Sequence, residues 1–290
     1  MSIEGSMSGK ASFEDIYDQP DPRAYIRELS ELEYQIPAHA SAVFRFLIDE
    51  VRDRRGEPFS VADLCSSYGF NPALFNHDLT LERVFARYSA PELAALSSDE
   101  LAQADREFYA ERRRDTAVPA IGLDVAANAV EYARRTGIVN MAAAENLEAS
   151  EPSSELRRDL ADVGLITVTG GIGYITETTF DRLLNAINAE RLPWVGAFSL
   201  RWVDMEPIRF VLETHGLVLE RLDGHTFRQR RFADGQERAY ALEELRRIGI
   251  DPDGVETDGY HHTWFYLARP ADEAKTTPIE ELLEPLLRTS

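Results

Sequence analysis

The chain has 290 residues, of which 44% are hydrophobic and 28% charged, a composition typical of a globular protein with one large domain or two small ones. Its 51 acidic and 31 basic residues give a formal net charge of −20, and a charge of that sign repels phosphate backbones and anionic lipid surfaces. Composition and charge therefore argue against broad binding to nucleic acid or to membrane surfaces.

The predicted elements begin after a small, polar N-terminus, and residues 1–12 are expected to be disordered. Residues 13–57 repeat apolar side chains at helical spacing and are predicted to form an N-terminal helical cap. Residues 58–270 are predicted to form an α/β domain. Residues 271–290 are predicted to be a tail that begins polar and ends in a short helix.

Within the α/β domain, short apolar runs alternate with helical stretches. Strands are predicted at residues 59–64, 120–123, 138–141, 163–168, 194–200, 217–222 and 263–268. Helices are predicted at residues 126–135, 156–160, 180–187 and 206–215, and a helical insertion at about 79–116 follows the first strand. This alternation indicates a doubly wound, mostly parallel, Rossmann-like sheet with helices on both faces. Few helical residues separate the last two strands, which predicts an antiparallel edge.

Three polar segments follow predicted strands, at the edge where ligands bind in an open α/β sheet. The first reads DLCSSYG over Asp63–Gly69, and its small residues allow close approach of the backbone to a ligand. The second ends in Asp124, a carboxylate that can accept hydrogen bonds from a ribose diol. The third, Val168–Tyr174, contains glycines that leave room for a substrate.

These segments, in this order, resemble the motifs of class I S-adenosylmethionine-dependent methyltransferases. In DLCSSYG, the acid is followed by Cys65, Ser67 and Gly69 at the three positions of a Gly-x-Gly-x-Gly loop. GLDVAANAVEYARRTG resembles the second motif, residues 144–147 the third, and residues 162–169 the fourth strand. The resemblance covers roughly residues 58–268. It departs from the family where 61 residues, rather than about twenty, separate the first acid from the second.

The resemblance implies S-adenosylmethionine as cofactor and S-adenosylhomocysteine as product. The residues that it assigns to the cofactor are Asp63, Cys65, Ser66, Ser67, Gly69, Asp124, Val125, Glu145, Asn146, Thr169 and Gly170, with Tyr17 and Tyr25 closing over it from the N-terminal region. Tyr174 is the candidate for positioning the substrate, and Trp202 and Asp204 are candidates for lining its pocket.

Each assignment has a structural alternative. Asp63 and Gly69 could belong to a ligand-free strand-to-helix turn, and Asp124 could be a helix N-cap. Glu145 and Asn146 could be plain loop residues, and residues 169–171 could be a tight turn.

Histidines and basic residues give weaker indications. The six histidines show no metal-site spacing and accompany no cysteine cluster, so no metal is predicted. His261 and His262 are expected in a turn before a strand. The basic stretch at residues 221–238 is predicted to be a solvated hairpin or loop, with an anion site as the alternative.

The predicted function is methyl transfer to a small molecule in a biosynthetic or tailoring pathway. A non-catalytic cofactor-binding or assembly protein of the same fold is the alternative. A dinucleotide-dependent oxidoreductase is less favoured, because SSYGFN does not supply G-x-G-x-x-G. The inserted helices would permit a homodimer. The single cysteine, Cys65, and the lack of a signal peptide or spanning segment predict a cytoplasmic protein.

Overall fold

A central sheet of eight strands organises the computed structural model, which describes residues 17–56, 58–187 and 191–288. The strands are β1 (Ser60–Leu64), β2 (Ala120–Leu123), β3 (Met141–Ala143), β4 (Val163–Thr169), β5 (Trp194–Leu200), β6 (Leu217–Arg221), β7 (Phe227–Arg231) and β8 (Tyr260–Pro270). Their order is β3-β2-β1-β4-β5-β8-β6, and β7 pairs with the first residues of β8 beyond β6.

The sheet is parallel from β3 to β5, whereas β8 runs antiparallel to β5, β6 and β7. The chain therefore winds in one direction from β1 to β3 and in the other from β4 onward. The switch point lies between β1 and β4, where ligands of doubly wound sheets bind. The predicted doubly wound, mostly parallel sheet with an antiparallel edge is confirmed.

Helices cover both faces of this sheet. They are α1 (Arg23–Glu31), α2 (Ile36–Arg55), α3 (Phe70–Asn76), α4 (Leu81–Tyr88), α5 (Pro91–Ala94), α6 (Ser98–Ala110), α7 (Ala127–Arg135), α8 (Ser154–Asp159), α9 (Glu177–Ala186), α10 (Glu206–Thr214), α11 (Gly235–Arg247), α12 (Ala271–Thr276) and α13 (Ile279–Leu287). No helix among the described residues is long and apolar enough to cross a membrane.

The core lies on both faces because the central strands are largely apolar and are covered on both sides. β1, β2 and β5 are buried at every position, as expected for parallel strands covered on two sides. Helix α2 packs closely on one face, since a Cβ on Gly196 would lie 3.1 Å from Leu47 and 3.3 Å from Phe44. The opposite face packs against α9, which buries Phe180 and Leu183.

The inserted helices α4 to α6 are fixed to α7 by a buried carboxylate. Asp105 accepts hydrogen bonds from the hydroxyls of Tyr88 at 2.5 Å and Tyr132 at 2.6 Å, and from Nε of Arg87 at 2.7 Å. Tyr132 lies on α7, the helix that follows Asp124. The insertion is thus tied to the part of the sheet where the second predicted motif lies.

The predicted third strand begins three residues too early. Residues 138–141 were expected to be extended, whereas β3 spans Met141–Ala143. The backbone N–H groups of Ile138 and Val139 donate to the carbonyl of Ala133 and so close the end of α7. The apolar side chain of Ile138 packs against Gly69, so it serves helix packing rather than a strand.

The prediction for residues 221–238 is wrong in its secondary structure, although most of the segment is exposed as predicted. These residues contain β7 and the start of α11, and both Gln229 and Arg230 are buried. Arg230 is buried because Glu237 binds its two terminal nitrogens at 2.9 and 2.7 Å. Since α11 lies between β6 and β8, the expectation of few helical residues there fails as well.

The histidine pair lies within β8 rather than in a turn before it. His261 and His262 are both buried, and they pair with Arg230 and Arg228 of β7. The predicted disorder of residues 1–12 lies outside the described residues.

Candidate cofactor-binding site

The loop after β1 has a backbone shape that glycine adopts most easily. The φ angles are +52° at Cys65, +48° at Ser67 and +77° at Gly69. A left-handed conformation costs a non-glycine residue roughly 1–2 kcal/mol. The three positions that match the glycines of the resembled motif thus all take the left-handed conformation, although two of them are not glycine.

Asp124 holds this loop in place. Its Oδ2 accepts a hydrogen bond from the N–H of Ser67 at 2.9 Å, and its Oδ1 accepts one from the N–H of Ala126 at 3.0 Å. The N-cap position of α7 is occupied by Ala126, so the interpretation of Asp124 as the N-cap residue is wrong. Burial raises the pKa of Asp124, although the backbone hydrogen bonds favour its charged form.

Buried polar groups without partners surround the loop. Asp63 is fully buried, and its Oδ1 accepts from Thr167 at 2.7 Å and from Asn71 at 3.0 Å. Its Oδ2 and the hydroxyl of Ser67 make no direct hydrogen bond among the described residues, whereas the hydroxyl of Ser66 lies close enough to the Asp63 carboxylate to favour its charged form. Burial raises the pKa of Asp63 to about 6. Buried polar atoms are normally paired, so this concentration favours a polar ligand at the loop.

The end of β4 comes close to the same loop. Thr169 exchanges hydrogen bonds with the side-chain amide of Asn71 at 3.0 and 3.3 Å. A Cβ on Gly170 would lie 2.6 Å from Nε2 of Gln229, and one on Gly171 would lie 2.6 Å from Sγ of Cys65. Glycine is therefore required at both positions by the close approach of neighbouring side chains.

The N-terminal segment covers this edge of the sheet. Residues 17–19 cross the loop, and both the N–H and the carbonyl of Gln19 hydrogen-bond to the hydroxyl of Tyr68, at 3.0 and 2.9 Å. Oδ1 of Asp18 accepts from the N–H of Asn128 at 2.7 Å, at the start of α7. Tyr17 and Tyr25 meet edge to face with ring centres 5.5 Å apart, and burial raises the pKa of both.

The remaining predicted residues lie at this edge but have other contacts. Glu145 accepts hydrogen bonds from the N–H and hydroxyl of Ser153, at 2.9 and 2.6 Å, and so holds the start of α8. Oδ1 of Asn146 accepts from the N–H of Glu148 at 2.9 Å. Val125 and Tyr174 are exposed, at 56% and 41%. The structure thus brings Asp63, Asp124 and the β1 loop together, whereas Glu145 is engaged in a helix start.

Several residues of this region were not predicted. Asn71, Thr167, Tyr34 and Gln229 all contribute polar atoms to it. Thr167 could have been predicted, because it is a polar residue inside the apolar run VGLITV. In the structure it pairs in register with Asp63. Burial raises the pKa of Tyr34 to about 12, although hydrogen bonds to Tyr25 and Thr169 oppose the shift. Tyr34 and Gln229 lie far from the motifs in sequence and gave no such indication.

A separate cavity lies beyond the carboxyl end of β5. Its volume is about 620 Å³, and both Trp202 and Asp204 line it. The described part of the chain contains no group of three or more histidine, cysteine or acidic side chains placed to hold a metal ion.

Comparison of the sequence with protein-family models and with curated proteins gave no match. Similar solved structures include the plantazolicin methyltransferase BamL, in complex with a substrate analogue and S-adenosylhomocysteine. That protein is 12% identical, with a TM-score of 0.42 over 88% of this chain and 96% of the other.

Two further similar structures are those of methyltransferases from Synechocystis PCC 6803 and Corynebacterium glutamicum. The magnesium protoporphyrin IX methyltransferase of Synechocystis PCC 6803 is 11% identical, with a TM-score of 0.38 over 84% of each chain. A TehB-like S-adenosylmethionine-dependent methyltransferase of Corynebacterium glutamicum is 13% identical, with a TM-score of 0.36 over 76% of this chain and 85% of the other. All three of these proteins are methyltransferases by name. At these identities the likeness concerns the fold alone.

Proposed function

We propose that this chain binds S-adenosylmethionine at the carboxyl ends of β1, β2 and β4 and transfers its methyl group to a small molecule. One observation carries the proposal. The β1 loop takes the left-handed conformation at Cys65, Ser67 and Gly69, and Asp124 at the end of the neighbouring strand is bonded to that loop at 2.9 Å.

The residues present fit this cofactor. Asp124 accepts backbone hydrogen bonds from Ser67, Val125 and Ala126, and an ionised carboxylate with about four lone-pair sites keeps acceptor capacity for a ribose hydroxyl. The buried hydroxyl of Ser67, which has no partner among the described residues, offers a polar contact for the methionine part. The exposed side chain of Val125 gives an apolar surface beside Asp124 for the adenine ring. When bound, the cofactor supplies a methyl group activated by a positively charged sulfur.

The contribution of the protein to such a transfer is positioning and exclusion of water. A direct displacement gains much of its rate from holding the two reacting atoms in line. In this proposal Tyr17 and Tyr25, whose rings are in contact, close over the cofactor, and the exposed Tyr174 after β4 orients the acceptor. The net charge of −20 favours a small acceptor over a nucleic acid.

Calorimetric titration with S-adenosylmethionine and S-adenosylhomocysteine tests this proposal, with nicotinamide dinucleotide as control. We expect micromolar binding of both sulfur ligands and none of the dinucleotide. Asp124→Ala should weaken binding by at least about 100-fold, because it removes the ribose acceptor and frees the loop. Asp159→Ala, the same change on α8 away from the site, should bind as the original chain does. A folded protein that binds neither sulfur ligand would contradict the proposal.

A non-catalytic cofactor-binding protein is the second candidate, and one observation favours it. The side chains of Gln229 and Cys65 lie against Gly170 and Gly171, at the end of β4 where an acceptor would meet the cofactor. Tight binding of S-adenosylhomocysteine, without methylation of any compound in a broad acceptor screen, would support this candidate. If Gln229→Ala then produced turnover, a blocked active site would be indicated.

A further inference from the structure

The cavity beyond β5 has the size of a small-molecule site. Its volume of about 620 Å³ lies within the range of roughly 300–1,000 Å³ found for ligand pockets. It begins at residues 201–206, directly after β5, and reaches the C-terminal end of α11. Since β5 is two strands from β1, the cavity starts about 10 Å from the β1 loop.

Three aromatic residues, Trp202, Trp264 and Tyr266, line the cavity, and both tryptophans contact neighbouring side chains. Trp202 meets Tyr240 of α11 edge to face, with ring centres 6.0 Å apart. The guanidinium of Arg221 lies over the ring of Trp264 at 4.3 Å, and that of Arg201 at 5.2 Å. Such rings provide flat, apolar contact area for a planar ligand.

The cavity wall also contains four arginines, although the net charge of the chain is −20. Among the described residues, the cavity is lined by the guanidiniums of Arg201, Arg209, Arg221 and Arg247 and by the carboxylates of Asp204, Glu206 and Asp223. Arg209 uses Nε and Nη1 for Glu206 and for the carbonyl of Leu219. Arg247 uses Nε and Nη2 for Glu244.

These contacts leave hydrogen-bond donors for a ligand. Nη2 of Arg209 and Nη1 of Arg247 have no partner among the described residues. Guanidinium groups bind carboxylates through short, charge-assisted hydrogen bonds. Nε1 of Trp202 is buried and has no partner in the described part of the chain. Rotation of the indole towards a ligand oxygen therefore gains a hydrogen bond and breaks none.

From this combination we infer that the cavity binds an aromatic carboxylic acid. In this arrangement the ring of the acid packs against Trp202 and Trp264, and the carboxylate of the acid binds Nη2 of Arg209 and Nη1 of Arg247. The identification of such an acid as the methyl acceptor rests on the proposed function. The binding site itself does not.

Two probes of equal size test the inference on the full chain. We expect 4-hydroxybenzoate to bind, and 4-hydroxybenzyl alcohol to bind about tenfold more weakly or not at all, because only the acid carries the carboxylate. Quenching of tryptophan fluorescence should accompany binding, since two of the three tryptophans line the cavity. The fluorescence response should be lost in Trp202→Phe combined with Trp264→Phe.

Two adjacent arginines of α11 provide a matched pair of variants. Arg247 lines the cavity and Arg246 does not, and both are exposed, so neither change should unfold the protein. Arg247→Gln should weaken 4-hydroxybenzoate binding about threefold to tenfold and leave the alcohol unaffected. Arg246→Gln should change neither.

Titration of the same sample with S-adenosylhomocysteine separates the two proposals. If S-adenosylhomocysteine binds but 4-hydroxybenzoate does not, the cavity inference is wrong and the proposed function stands. If the acid binds and S-adenosylhomocysteine does not, the proposed function fails and the cavity remains a ligand site. Equal binding of acid and alcohol, or equal effects of Arg246→Gln and Arg247→Gln, would also overturn the inference.

Discussion

The β1 loop and the β5 cavity lie at the same edge of the sheet, but different parts of the chain shape them. At the β1 loop, the main features are the backbone conformation and the hydrogen bonds that main-chain N–H groups donate to Asp124. At the cavity, the main features are the side chains of arginine and tryptophan. If both proposals hold, main-chain geometry binds the ligand of the first region and side chains select the ligand of the second.

The largest expected effect tests whether the inserted helices support the β1-loop region. Asp105→Ala should lower the free energy of unfolding by about 3–5 kcal/mol, because it leaves Arg87 and two tyrosine hydroxyls without their buried partner. Urea unfolding would measure it. Asp99→Ala removes an ion pair from the same helix at a side chain that is 85% exposed, and it should change stability by less than about 0.5 kcal/mol.

If Asp105 also supports the proposed site, S-adenosylhomocysteine binding should weaken in Asp105→Ala while binding of 4-hydroxybenzoate at the cavity persists. Equal loss of both ligands would show that the two regions depend on the insertion alike, and the contrast between them would fail.

A medium effect concerns pH, because each region holds a buried carboxyl group with a raised pKa. Burial raises the pKa of Asp63 to about 6 and that of Glu256, beside Arg201, to about 7. A carboxyl whose folded pKa exceeds its unfolded value favours the folded state at low pH. Its contribution is complete below about pH 4 and is lost as pH rises through the folded pKa.

Asp63→Asn should therefore flatten the dependence of stability on pH between about 4 and 6, by on the order of 1–3 kcal/mol. Glu256→Gln should flatten it between about 4.5 and 7 instead. Thermal unfolding at a series of pH values would measure both. The prediction fails if stability rises with pH in these windows, or if neither variant alters the slope.

The smallest effect tests the strain of the β1 loop. Ser67→Gly should stabilise the protein by about 1 kcal/mol, because Ser67 is held at a positive φ that glycine adopts without cost. Ser66→Gly should instead destabilise it by about 0.5–1 kcal/mol, because Ser66 is not left-handed and gains only chain entropy in the unfolded state. Stabilisation by both changes, or by neither, would contradict the assignment of strain to Ser67.

Strand positions could be predicted from sequence where the chain is buried on both faces. The runs AIGL and WVGAFSL became β2 and β5 with the predicted bounds, because a fully covered parallel strand needs continuous apolar residues. The acids near the ends of these runs, Asp63 inside β1 and Asp124 after β2, could be found for a related reason, since polar residues end such runs. The alternation of strands and helices then determined the doubly wound order.

Other features depend on residues that are distant in sequence. The left-handed conformation of Cys65 and Ser67 is not a preference of cysteine or serine, and the hydrogen bond from Ser67 to Asp124, 57 positions away, helps to impose it. Arg230 is buried, within a largely exposed segment at residues 227–237, because Glu237 neutralises it inside the fold. Sequence patterns determined which segments are apolar enough to be covered. Only the tertiary structure decided which polar groups are paired, because pairing depends on contacts between distant segments.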